Sequence, residues 1–218
     1  INNRAVDQRL ALVRQALQPL LLPGDQRQAH ITLHVCGFPV AAPAHADDFG
    51  AAQLQAQVDA LARAAVRGFA LRVGGAFSFA SAACLAVHDD GAALPRLRLA
   101  CQQAAPSHDA TPYVPHVTAG LYGGAWPMRD VQARLQALAT LPCIHLPVTS
   151  LDWMVYDSGR IGGALRSLLR VDLATGQAQI TNRAAFDAAF DVRLTACDVG
   201  ASGAVGAGRS PGFRRSRR

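Results

Sequence analysis

The chain contains no lysine and no glutamate. All 21 of its basic residues are arginine and all 15 of its acids are aspartate. These absences remove whole mechanisms: a nucleotidyl-lysine ligase, a Schiff-base enzyme and a P-loop NTPase each need a lysine, and a HExxH metalloprotease needs a glutamate. Long apolar runs are missing as well. Leu20-Leu21-Leu22 and residues 82–87 fall far short of the roughly 20 residues a membrane-spanning helix requires, and no basic-then-apolar leader opens the sequence. A cytoplasmic protein without a membrane partner is therefore expected. Cysteine is sparse: Cys36, Cys84, Cys101, Cys143 and Cys197 form no CxxC pair, and five is an odd count. That argues against a disulfide framework, and buried free thiols are expected.

What is present suffices for a real core. With 218 residues, half of them hydrophobic, the chain has the size of one domain or two small lobes. Its net charge of +6 is unevenly placed: residues 201–218 carry Arg209, Arg214, Arg215, Arg217 and Arg218 with no acid, which leaves residues 1–200 at +1. We therefore expect a folded unit over residues 1–199 and a disordered basic Gly/Ala/Ser/Arg tail over 200–218. Such a tail would add non-specific phosphate affinity through counterion release. A monomer is expected.

Hydrophobic spacing outlines the elements. Val6, Leu10, Val13, Leu17 and Leu20 recur at helical spacing until Pro19 interferes. After Pro23-Gly24-Asp25, residues 30–35 alternate polar and apolar, which predicts a half-buried strand with Ile31, Leu33 and Val35 facing the core. Leu54, Val58, Leu61 and Ala65 predict a second helix over 49–67, with Gly68 as its stop. Two strands over 69–73 and 82–87, joined by a Gly/Ser/Phe loop, precede a helix over 94–104. A proline-rich linker leads to a second alternating run at 116–122, and a helix over 127–141 opens on Pro127. Residues 144–156 and 165–173 read as strands, turned at Asp157-Ser158-Gly159, and 186–190 as a short amphipathic segment. A strand carrying His-x-Thr followed by a helix thus occurs twice. This pattern predicts an α+β fold of two pseudo-symmetric lobes, each an antiparallel sheet with helices on its outer face, and an active-site cleft between them.

Residues two apart on a strand share a face, so His30 projects with Thr32 and His116 with Thr118. If the two strands face each other, two imidazoles and two hydroxyls surround a space suited to one phosphodiester. Imidazole titrates near pH 6.5, so one ring can accept a proton while the other donates one. The threonine hydroxyls would hold the non-bridging oxygens as charge develops on them. Neither a metal nor a cofactor is called for.

His30-Ile31-Thr32-Leu33 with Cys36-Gly37-Phe38, and Tyr113-Val114-Pro115-His116-Val117-Thr118, resemble the two His-x-Thr/Ser motifs of the 2H phosphoesterase superfamily. The branch they are most similar to is the bacterial and archaeal "2'-5' RNA ligase" group, also called RNA 2',3'-cyclic phosphodiesterases. The likeness runs over roughly residues 6–173 and includes Gly74-Gly75-Ala76-Phe77, read as a loop before a middle strand; it departs at Ala119-Gly120, where larger apolar residues are expected. It implies opening of 2',3'-cyclic phosphates to 2'-phosphates, with 2'-5' joining as the reverse, and catalytic roles for His30, Thr32, His116 and Thr118. RNA ends or small cyclic nucleotides would be the partners. Tyr113, Phe77 and Tyr122 are the rings expected to contact substrate.

Blander roles compete. His34 shares the face of His30, yet ligands at i and i+4 of one strand lie too far apart for a three-histidine metal site, and no carboxylate is near in sequence. His45, His88, His108 and His145 are expected on the surface or in loops, and Trp126 and Trp153 as packing residues. Two further functions stand beside RNA-end hydrolysis: the same chemistry on small nucleotides such as ADP-ribose cyclic phosphate or 2'-5' oligonucleotides, and a non-catalytic RNA-binding module.

Overall fold

A computed structural model of the chain describes residues 1–107 and 112–190. His108, Cys197 and the basic tail lie outside the described residues. In chain order the first elements are α1 (Arg4–Leu17), β1 (Phe38–Pro39), β2 (Asp48–Phe49), α2 (Ala51–Ala64), β3 (Phe69–Ser78), β4 (Ala82–His88) and α3 (Ala93–Ala104). They are followed by β5 (His116–Leu121), α4 (Met128–Ala139), β6 (Ile144–Val148), β7 (Ser150–Val155), β8 (Arg166–Asp172), β9 (Ala178–Ile180) and α5 (Arg183–Phe190).

Two antiparallel sheets organise the fold, one ordered β5-β4-β3-β6 and the other β7-β8-β9. Helix α1 starts where the Asn3 side chain accepts from the amides of Ala5 and Val6, satisfying donors that a helix start leaves orphaned. Its apolar stripe, Val6, Leu10, Val13 and Leu17, is buried against Leu71, Val73, Leu85 and Val117 of the four-stranded sheet, and Val131 and Leu135 of α4 complete that cover. Around the three-stranded sheet, Leu168, Leu169 and Val171 of β8 pack with Phe186 and Phe190 of α5 and with Leu54 and Val58 of α2. Only Thr149 separates β6 from β7, so the chain passes directly from one sheet to the other. The architecture is the two-lobed α+β arrangement expected, with unequal sheets.

Local departures have local causes. Residues 30–35 are extended but join no ladder. One backbone group there is met by a side chain, since Arg98 donates to the Leu33 carbonyl at 2.8 Å, while the His34 side chain reaches the Ala105 carbonyl through Nε2 at 3.0 Å. Ile31 and Leu33 pack on the first core, whereas Val35, expected to be inward, is 42% exposed. Gly74-Gly75-Ala76-Phe77 is not a loop but the second half of β3, irregular between Val73 and Ala76. A Cβ at Gly75 would collide with the Ala139 carbonyl at the end of α4, so glycine there admits the close approach of a helix backbone. The expected strand over 144–156 splits into β6 and β7. Helix α2 ends at Ala64 and is capped by Ala65, left-handed at φ 50°, three residues before the glycine expected to stop it. Cys84 and Cys101 are buried free thiols, but Cys143 is exposed.

Candidate active site

His30 and Thr32 sit on the extended segment between α1 and β1, and Thr118 on β5; all three line one cavity of about 170 Å³. Asp25, Arg27, Gln28, Leu121 and Gly162 complete its wall. His116 stands two residues before Thr118 on the same face of β5. A larger groove, about 400 Å³ between α2 and α3, is lined by alanines, Arg63, Arg96, Leu99 and Gln103 and holds no imidazole or hydroxyl. The imidazole and hydroxyls that acid–base chemistry would need therefore line the smaller cavity.

The two histidines are held alike. His30 meets the Gln28 carbonyl through Nδ1 at 2.8 Å, and His116 meets the Val114 carbonyl through Nδ1 at 2.7 Å. A carbonyl only accepts, so each Nδ1 carries a proton and each Nε2 is left as the reactive nitrogen. Burial holds the His30 imidazole below its ordinary pKa, against the upward pull of the Gln28 carbonyl, and the charges of Arg27 and His116 act in the same downward direction. The two rings thus share one electrostatic neighbourhood, His30 in the cavity lining and His116 beside it, outside the lining itself. His30 is neutral at neutral pH, with its Nε2 lone pair free to take a proton.

Neighbours fix these groups from both lobes. The Gln28 side chain grips the start of β8: its Nε2 donates to the Leu165 carbonyl at 3.2 Å, and its Oε1 accepts from the Leu165 amide at 2.8 Å. The Gln26 amide donates to the Gly162 carbonyl at 2.9 Å. Phe79 lies edge-on to the His116 ring at 5.0 Å between centroids, and Phe77 lies edge-on to Phe79 at the same distance. Behind Thr118, burial pushes the Cys84 thiol up to about 11, with the Thr118 side chain opposing the shift, so Cys84 stays protonated.

The remaining expected site residues are placed as follows. Phe77 is half-buried and reaches the histidine only through Phe79. Tyr122 pairs its hydroxyl with Ser78 Oγ at 2.7 Å and packs on the first core. Tyr113 also packs on that core beneath the Arg98 guanidinium, 4.5 Å from its centroid. Burial pushes its phenol up to about 12, and the hydroxyl lacks a partner among the described residues. None of these three rings lines the cavity. His34 turns away to the Ala105 carbonyl; His45, His88 and His145 are exposed. Trp153 donates to the fully buried Gln57 at 2.9 Å, and Trp126, 43% exposed, donates to the Leu20 carbonyl at 3.0 Å. Arg27, Gln28 and Phe79 escaped the sequence reading. Their proximity in sequence to His30 and to Gly74-Gly75 was the one available signal, and proximity names no role.

The family model described as the 2'-5' RNA ligase superfamily matches residues 5–160, a span that holds both His-x-Thr motifs. The chain belongs to that superfamily. It is a 2H phosphoesterase by the same assignment, and a phosphodiester-acting enzyme is the activity the superfamily supports. No curated protein matched the chain. For a 2H phosphoesterase, the pairing of each histidine with a carbonyl two residues upstream supplies a physical basis for the repeated motif: the same backbone relation presents the same ring nitrogen twice.

Proposed function

We propose that this 2H phosphoesterase hydrolyses 2',3'-cyclic phosphate ends of RNA to 2'-phosphates without a metal, with 2'-5' ligation as the same ring opening by a ribose 5'-hydroxyl in place of water. The observation that carries the proposal is the matched Nδ1 tether of two imidazoles in one electrostatic neighbourhood. Neutral His30 accepts a proton from water as its oxygen bonds to phosphorus. His116, through Nε2–H, delivers a proton to the ribose 3'-oxygen as the P–O3' bond breaks. The hydroxyls of Thr32 and Thr118 donate to the non-bridging oxygens, whose charge grows toward the transition state. The small cavity also favours a second reading, in which the same chemistry acts on free cyclic nucleotides.

Both substrate classes are offered in EDTA: an oligonucleotide with a 2',3'-cyclic end and a free 2',3'-cyclic nucleotide. Turnover of the oligonucleotide with a 2'-phosphate product is expected, and turnover of the free nucleotide alone selects the second reading. His30→Ala and His116→Ala should each lower kcat by roughly 10²–10⁴-fold. Full rate in either variant, or loss of activity on chelation, would overturn the mechanism.

A further inference from the structure

We propose that Arg27 is the phosphate-binding cation of this site, taking the non-bridging oxygens of the cyclic ester and then the 2'-phosphate dianion released from it. Among the described residues, Arg27 is the one arginine on the wall of the cavity that His30, Thr32 and Thr118 line. Its guanidinium is held on two sides without being neutralised. Nε donates to the Gly163 carbonyl at 3.2 Å, and the group lies over the Tyr156 ring, 4.2 Å from its centroid. A carbonyl and an aromatic face fix a cation while leaving its charge unspent on a carboxylate. Among the described residues, Arg27 makes no salt bridge.

Asp25 shares the cavity, but its Oδ1 accepts from the backbone amide of Arg27 at 2.9 Å, not from the guanidinium. The two outer nitrogens of Arg27 therefore keep their N–H donors for a ligand. Their planar fork matches two oxygens of one phosphate. On the opposite wall β5 supplies Thr118 and the apolar Leu121, so Arg27 is the permanent cation among the described residues of the lining. The same charge disfavours protonation of His30, which suits a residue that must begin the reaction as a base. One group would thus hold the anion and keep the neighbouring ring unprotonated.

This role rests on the phosphodiesterase reading above, and the test separates the two. Inorganic phosphate is titrated into the wild type, Arg27→Gln, Arg27→Lys and Tyr156→Leu, followed through the imidazole NMR signals of His30. Arg27→Gln should bind phosphate about tenfold or more weakly, the loss expected for a charge-assisted hydrogen-bonded pair, and His30 should titrate at higher pH than in the wild type. Arg27→Lys keeps the charge without the fork and should fall between the two. Tyr156→Leu leaves the arginine in place and loses its shelf, so a smaller weakening is expected. If Arg27→Gln does not fold, the ordering of wild type above Tyr156→Leu and Arg27→Lys decides. Equal phosphate affinity across the folded variants, in a wild type that turns over cyclic ends, overturns the role of Arg27 alone. A wild type that neither binds phosphate nor opens cyclic ends removes both proposals.

Discussion

Gln28 works at both ends of its own residue. Its backbone carbonyl receives the His30 Nδ1 proton, while its side-chain amide grips Leu165 from the other lobe. Truncating it to alanine leaves the carbonyl in the chain but frees its position, and it strips two hydrogen bonds of about 1 kcal/mol each. Gln28→Ala should therefore lower kcat more than it raises KM, and broaden or shift the His30 imidazole signal, while the protein stays folded. An unchanged kcat alongside a reduced melting temperature would show that the grip is structural only. The His-x-Thr pairs themselves were legible because a period of two is a property of the chain alone. Arg27 and Gln28 were not, because their partners Tyr156, Gly163 and Leu165 lie about 130 residues further on in the chain.

Strands and helices were legible to the extent that burial is periodic. The stripe of Val6, Leu10, Val13 and Leu17 emerged as the buried face of α1. The alternation at residues 30–35 did not become a paired strand, since alternation reports which side chains are inward and not whether a neighbour completes the ladder. Val35 is exposed, two residues before Gly37 with its left-handed φ of 113°. The double glycine of β3 was misread for the opposite reason: glycine punctuates loops, but here it lets α4 press on a strand. Gly75→Ala should push the end of α4 away from β3 and cost roughly 1–3 kcal/mol, as other overpacked sites do. A urea unfolding series would measure it, and a wild-type midpoint would show that Ala139 yields without cost.

Across the whole molecule, pH couples the site to stability. Burial lowers the pKa of both His30 and His34 in the folded chain. The unfolded chain, with imidazoles near 6.5, binds protons more readily. Stability is therefore complete above about pH 6.5 and declines as pH falls through that value toward the folded pKa values. A second decline belongs to Asp48, Asp90 and Asp172, whose carboxyls are held down by backbone amides or by Arg72; it begins only near the ordinary carboxylate range, about 3.9. Melting temperatures recorded from pH 8 to pH 3 should show two steps, and a curve flat from 7 to 5 would contradict the histidine assignment. The rate should fall at the acid end of the first step, where His30 of the folded chain, its pKa lowered by burial, takes up a proton and is no longer a base. Fold class was open to sequence at this scale through the doubled motif, whereas the unequal sheets and the passage between them at Thr149 depend on contacts no local pattern encodes. The short tether from each ring to its own chain has one more consequence. Proton placement is written into three consecutive residues and so travels with them: a designer who grafts such a triplet onto another extended segment carries the orientation of the reactive nitrogen along, and must supply only the anion's lodging.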